Sequence, residues 1–123
     1  MQPPNTRQLG QRYEVLAAQY LKRAGLALLQ TNWSCRYGEI DLICGQDNLL
    51  IFVEVRFRRH HQWGGALESI TALKQQKLTR SAQAFLQQHP HYQHLACRFD
   101  AVFISKMPDN SLDFNWIENA FGV

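Results

Sequence analysis

Two carboxylates stand where carboxylates are costly. Asp41 lies between Ile40 and Leu42, and Glu54 between Val53 and Val55, in a stretch that reads GEIDLICGQDNLLIFVEVRFR from Gly38 to Arg58. Charged oxygens among aliphatic neighbours are expensive to desolvate unless something compensates them. The apolar runs at 39–44 and 49–56 flank Gly45-Gln46-Asp47-Asn48, a cluster of turn formers, so the stretch reads as a β-hairpin. Register decides whether the acids meet. With Asp47-Asn48 as a two-residue loop, or 46–49 as a four-residue one, facing residue numbers sum to 95 and Asp41 opposes Glu54. With Gln46-Asp47 as the loop the acids are diagonal on one face, and an odd loop puts them on opposite faces. Carboxylates on neighbouring strands, roughly 5 Å apart at the backbone, repel each other unless one is protonated or a cation lies between them. A hard divalent ion such as Mg²⁺ suits that place, because it takes one or two carboxylates and leaves its other positions to water and phosphate oxygens. The plainer alternative makes the acids edge-strand charges or partners of nearby arginines.

The elements that must position these acids follow from periodicity. Residues 1–8, with Pro3-Pro4, read as a tail and 9–123 as one domain. Asn5 or Thr6 can cap a helix that runs to about Ala24 and is ended by Gly25. Leu9, Tyr13, Leu16, Ala17, Tyr20 and Ala24 form its buried stripe. Glu14 lies about a quarter-turn from the stripe's centre at about 100° per residue. From that flank it either reaches the rim of a site on the sheet or pairs at the surface with Arg7, Arg12 or Lys22. Residues 26–33 read as a first strand, after which Tyr37-Gly38 turns the chain into the hairpin. Glu39 shares a face with Asp41 by period-two alternation and reads as a strand-end charge ahead of the alternative, a further acid at the site.

A second helix is expected over 66–88, with Leu67, Ile70, Leu78, Ala82, Phe85 and Leu86 inward. Lys74 falls within roughly 20° of that stripe's centre. An inward lysine snorkels outward or points at negative charge, and the acids on the sheet are the obvious candidates. Lys77 sits at the stripe's edge. Residues 97–105 form a further strand, which the intervening helix makes parallel to 49–56. Asp100, two residues from Arg98 on the same face, reads as half of a structural ion pair. Leu112, Phe114 and Trp116 alternate as a short edge strand, and Ala120-Phe121 docks.

A chain of 123 residues with 46% hydrophobic and 19% charged content has the length and composition of one soluble globular domain. The charge of +3 and pI near 8.9 permit nucleic-acid binding without demonstrating it. Arg56, Arg58 and Arg59, followed by His60 and His61, make a basic lip beside the second acid, suited to a polyanion or to an ordinary solvated loop. Arg36, Arg58, Arg59 and Lys77 are the candidate nucleic-acid contacts, and Trp63 packs its loop rather than stacking on a base. Cysteines 35, 44 and 97 show no C-x-x-C spacing, which argues against a disulfide framework or zinc site, and Cys44 reads as a core residue. His89, His91 and His94 lack a local cysteine or acid and do not read as a transition-metal site. With no apolar segment of membrane-spanning length and no secretory leader, a reducing cytoplasm is the expected setting.

An acid on the first helix, then G-E-I-D-L-I at 38–43 and F-V-E-V-R-F-R at 52–58, resembles the YraN family of small bacterial proteins. That family is similar to the Holliday junction resolvases and the wider PD-(D/E)xK nuclease superfamily. The resemblance runs from about Gly10 to Phe121. It implies an α/β restriction-endonuclease-like core, a mixed sheet of four to five strands flanked by two long helices in the order α-β-β-β-α-β. It further implies that Asp41, Glu54 and the backbone carbonyl of Val55 hold Mg²⁺ or Mn²⁺, with Glu14 assisting. The implied activity is phosphodiester hydrolysis in structured or branched DNA, carried out by a homodimer because a junction has two-fold symmetry. The chain departs from the E-x-K motif at Arg56, where lysine is expected. Guanidinium stays protonated and cannot act as a general base. It can still clamp a phosphate oxygen, while Lys74 is the candidate for the missing ammonium. Two further readings stand beside this one: a nucleic-acid-binding module that has lost turnover, and a protein-interaction domain whose acids are tied up by Arg98 or Arg56.

Overall fold

The computed structural model describes residues 6–58 and 69–122. Arg59, His60, His61, Trp63 and Leu67, singled out above, lie outside the described residues. Helix α1 spans Thr6–Arg23, so 6–8 are helical rather than tail, and Gly25 follows at φ +103, a conformation open to glycine. Three antiparallel strands come next: β1 (Ala27–Cys35), β2 (Gly38–Gln46) and β3 (Leu49–Arg58). Helix α2 (Ala72–Gln88) crosses over to β4 (Ala96–Lys106), which runs parallel to β3 as the crossover requires, and β5 (Leu112–Phe121) closes the sheet. Strand order is β1-β2-β3-β4-β5. This is a restriction-endonuclease-like α-β-β-β-α-β order with one added edge strand.

Three boundaries differ from the expectation. Helix α2 starts at Ala72 rather than 66, because Thr71 caps it by accepting the Lys74 backbone N–H at 3.2 Å. Helical periodicity alone does not register such a cap. Strand β5 extends through Ala120-Phe121 instead of stopping near Trp116, its later residues paired to β4 past an irregularity at Phe99/Ala101. Strand β1 continues to Cys35.

Each helix covers one face of the sheet. Ala17, Ala18 and Leu21 of α1 pack on Leu42, Cys44, Ile51, Val53, Val102 and Ile104. Leu78, Ala82 and Phe85 of α2 pack on Ile40, Ile43, Leu50, Phe52, Phe99 and Phe103. With about 1.5–3 kcal/mol from each fully buried large apolar side chain, both faces of the sheet are anchored along its middle. The hairpin turn is Asp47-Asn48, Asp47 taking φ +54, and Gln46 faces Leu49. Facing numbers therefore sum to 95, one of the registers the turn residues allow.

Candidate functional site

The β2–β3 ladder runs from Gln46↔Leu49 to Leu42↔Val53, the last pair before Asp41 and Glu54. At that point the pleat of β2 changes phase. Ile43 and Ile40, three residues apart, pack on the same α2 side, while Leu42 and Cys44 pack on the α1 side. A regular strand would separate positions three apart onto opposite faces. On β1 the residue between the pairs Thr31↔Leu42 and Trp33↔Ile40 is Asn32, which takes φ +50, a left-handed conformation that asparagine tolerates better than most residues. The irregularity turns Asp41 into the gap where the strands part. Its Oδ2 accepts the Val55 backbone N–H at 2.8 Å.

Asp41 is thereby reachable from both helices. From α1 comes Glu14, hydrogen-bonded to Asp41 and to Asn32. Glu39 arrives from the start of β2, and carboxylate oxygens of Glu14, Glu39 and Asp41 all lie within 4.8 Å of one another. Glu39 is thus part of the acidic cluster and not a detached strand-end charge. Its shared face with Asp41 was the available signal. An open cleft of about 430 Å³ leads to the cluster, lined by Gly10, Gln11, Glu14, Asn32, Ser34 and Glu39.

On the α2 side Glu54 is 5% exposed. Its Oε1 lies 3.4 Å from Arg56 Nε and 3.7 Å from Lys74 Nζ. Lys74 occupies the first turn of α2 behind its Thr71 cap, and its side chain is 37% exposed, so it reaches the acid from the rim. The Arg56 contact is an ion pair without hydrogen-bond geometry, since Arg56 Nε has no such partner. Glu54 Oε2 and Glu14 Oε2 are also buried without hydrogen-bond partners among the described residues.

Electrostatics record the crowding. Burial, then the Asp41 charge, push the Glu54 carboxyl from 4.5 up to about 7, against the pull of Lys74 and Arg56. Burial, then the charge of Asp41 and its hydrogen bond, push Glu14 up to about 7 as well. Asp41 is raised by burial, partly offset by the Val55 N–H, Glu14 and Lys74. In this arrangement a proton between Glu14 and Asp41 relieves the repulsion. A hard cation would do so more completely, because the donors are all carboxylate oxygens and one of them, Glu14 Oε2, is buried without a hydrogen-bond partner among the described residues.

The remaining candidates are dispersed. Arg36 donates to the Tyr37 hydroxyl at 2.6 Å on the surface. Arg58 lies over the Phe103 ring, 5.5 Å from its centroid, on the α2 side. Lys77 is exposed on α2. Asp100 is fully buried and takes four donors: Arg98 Nε at 2.8 Å, the second Arg98 nitrogen at 2.9 Å, and Trp116 Nε1 and the Asn119 N–H at 2.9 Å each. It is structural, as its spacing from Arg98 implied. Arg98 itself is engaged by Asp100 and Glu118 rather than by the acids of the cleft.

Residues 13–104 match the model of the uncharacterised protein family UPF0102. The chain belongs to the UPF0102 (YraN) family. A UPF0102 protein of Stutzerimonas stutzeri is 53% identical over 112 residues, covering 91% of this chain and 92% of its own. A second from Pseudomonas syringae is 45% identical over 121 residues, 98% of both chains, and a third from Pseudomonas aeruginosa is 48% identical over 118 residues, 95% and 94%. UPF0102 membership spans every element that carries the cleft, from Glu14 on α1 through Lys74 on α2.

Proposed function

We propose that this protein is a divalent-metal-dependent endonuclease that hydrolyses phosphodiester bonds in structured or branched DNA, acting as a homodimer. The observation that carries the reading is the meeting of Glu14, Glu39 and Asp41 beside a buried Glu54 held by Lys74. Like charges gathered at this expense call for a counter-charge that enters and leaves. Asp41, Glu14 and Glu39 are the residues to hold Mg²⁺ or Mn²⁺, with Glu54 and the Val55 carbonyl adjacent. When bound, such an ion polarises a phosphoryl oxygen and lowers the pKa of water.

The protein's own groups do the rest. The Val55 N–H fixes the Asp41 carboxylate, and Asn32 fixes Glu14. Lys74 and Arg56 partly offset the push of burial and Asp41 that raises the Glu54 carboxyl. They also stand ready to stabilise the negative charge that develops on a phosphate. Arg56 cannot accept a proton. That same residue favours the second reading, a binder of nucleic acid with weak or no turnover.

The deciding experiment incubates the protein with branched and linear DNA in Mn²⁺, with Asp41→Ala and Glu54→Ala as controls. Cleavage that stops in EDTA and falls at least a hundredfold in both variants is the expected result. Salt-sensitive binding without cleavage under any divalent ion would replace the enzyme with the binder. Absence of binding at low salt would leave a protein-interaction domain.

A further inference from the structure

A second groove opens from the same cleft. Along α1, Gln11, Val15, Ala18 and Lys22 recur at helical spacing on a flank of the core stripe, and with Leu28 and Thr31 of β1 they line a space of about 290 Å³. Glu14, Gln11 and Asn32 line both spaces, so the groove continues directly from the acidic cluster. Its floor is apolar, made by Val15, Ala18 and Leu28. Val15 is 56% exposed, so its methyls are open to a ligand in the groove. The rim carries the amides of Gln11 and Gln19, and the end remote from the acids carries the Lys22 ammonium.

We propose that this groove holds one unpaired nucleotide next to the phosphate that the acidic cluster acts on, a subsite that rests on the nucleic-acid reading above. The chemistry matches group by group. A nucleobase has two apolar faces, which an aliphatic floor covers, as in sites that receive extruded bases. Its edges carry donors and acceptors side by side, which side-chain amides can meet in pairs. The next phosphate along the strand reaches Lys22, while the phosphate on the other side lies at Glu14, where a cation is required. A duplex, whose bases are stacked and paired, cannot offer a face to this floor. The groove thus selects junctions, flaps or gaps over linear duplex.

The test is run in EDTA, so that it does not depend on metal binding or turnover. Methyl-labelled protein is titrated with adenosine 5′-monophosphate, with ribose 5-phosphate and adenosine as controls. The expected result is a set of saturable shifts confined to the Val15, Ala18 and Leu28 methyls, absent with ribose 5-phosphate. Val15→Glu, at an exposed position the fold tolerates, weakens binding at least tenfold. Lys22→Glu weakens binding of the monophosphate but not of adenosine. Shifts that are missing, lie elsewhere, or persist in Val15→Glu overturn the subsite. If shifts appear as expected but no DNA is cut, the groove stands and the nuclease reading fails. If DNA is cut and Val15→Glu leaves KM for branched DNA unchanged, the enzyme stands and the groove fails.

Discussion

The backbone N–H of Val55 donates to the Asp41 carboxylate at 2.8 Å, just beyond the last pair of the β2–β3 ladder, Leu42↔Val53. A side chain thus caps the ladder where the strands separate. The exchange leaves Asp41 in the gap between the two faces of the sheet, with Glu14 approaching from α1 and the Lys74 charge acting on it from α2. Neither helix alone could build the cluster.

Stability should fall as pH rises from about 4.5 to about 7. Glu14 and Glu54 hold their protons up to about 7 in the folded chain, against 4.5 ordinarily. The native state therefore binds more protons than the unfolded state between these values, and the slope of unfolding free energy with pH is negative there. The loss from below pH 4.5 to above 7 should be on the order of 3 kcal/mol, most of it from the buried Glu54, because solvent screens the contribution of the half-exposed Glu14. Melting temperature in EDTA across pH 4.5–8 measures it, and Glu54→Gln should flatten the curve. Mn²⁺ competes with those protons, so its stabilising effect should grow toward pH 8. A wild-type curve that rises steadily over this window would contradict the assignment.

Much of this arrangement is legible in the chain itself, and the parts that are not have physical reasons. Asp47-Asn48 is a strong turn signal, and it carried the hairpin register as far as Leu42↔Val53; beyond that pair the strands part, and the acids gathered with Asp41 are Glu14 and Glu39. The lysine inside the second helix's apolar stripe announced the Lys74–Glu54 ion pair. What stayed hidden depends on geometry that period-two and period-3.6 patterns do not encode. The phase change of β2 at Asp41, the left-handed Asn32 and the inclusion of Glu39 all come from one local distortion. Thr71, a good capping residue, was masked by the apolar pattern running through it.

Lys74 and Arg56 should differ in what their loss does. Both lie within 4 Å of Glu54 Oε1, but Arg56 Nε makes no hydrogen bond there. Lys74→Ala should lower kcat on branched DNA about a hundredfold with KM little changed, the size seen when one group stabilising developing charge is removed. Because Lys74 lowers the Glu54 pKa, the acidic limb of the pH–rate profile should also move to higher pH. Arg56→Lys should retain activity, since an ammonium at that position restores the E-x-K pattern. Unchanged metal-dependent cleavage in Lys74→Ala would remove Lys74 from the mechanism.

Asp100→Ala should be severe for stability and uninformative for chemistry. Removal of this carboxylate strands Arg98, the Trp116 indole N–H and the Asn119 N–H in the interior. Breaking a buried ion pair by deleting one partner typically costs 3–5 kcal/mol, which is about the loss expected here. Urea unfolding measures it, and Asp100→Asn, which keeps an acceptor oxygen, should lose less. If the alanine variant unfolds at the wild-type midpoint, the network is not what ties β5 to β4.

Asn32 does two separable things, and two substitutions can part them. Its backbone holds φ +50, and its side chain hydrogen-bonds Glu14 and pulls that carboxyl's pKa down. Asn32→Gly keeps the left-handed backbone without strain, whereas Asn32→Ala imposes about 1 kcal/mol of it. Both remove the amide. In EDTA, only the alanine variant should melt measurably lower. In Mn²⁺, both should bind the ion about tenfold more weakly, the usual effect of losing a group that orients a ligand. The pH at which Mn²⁺ begins to stabilise the protein should also rise in both, since Glu14 keeps its proton longer. Glycine that matched wild type in metal affinity would reduce Asn32 to a bend in β1, and the cleft would then depend on Asp41 and its Val55 hydrogen bond for its order.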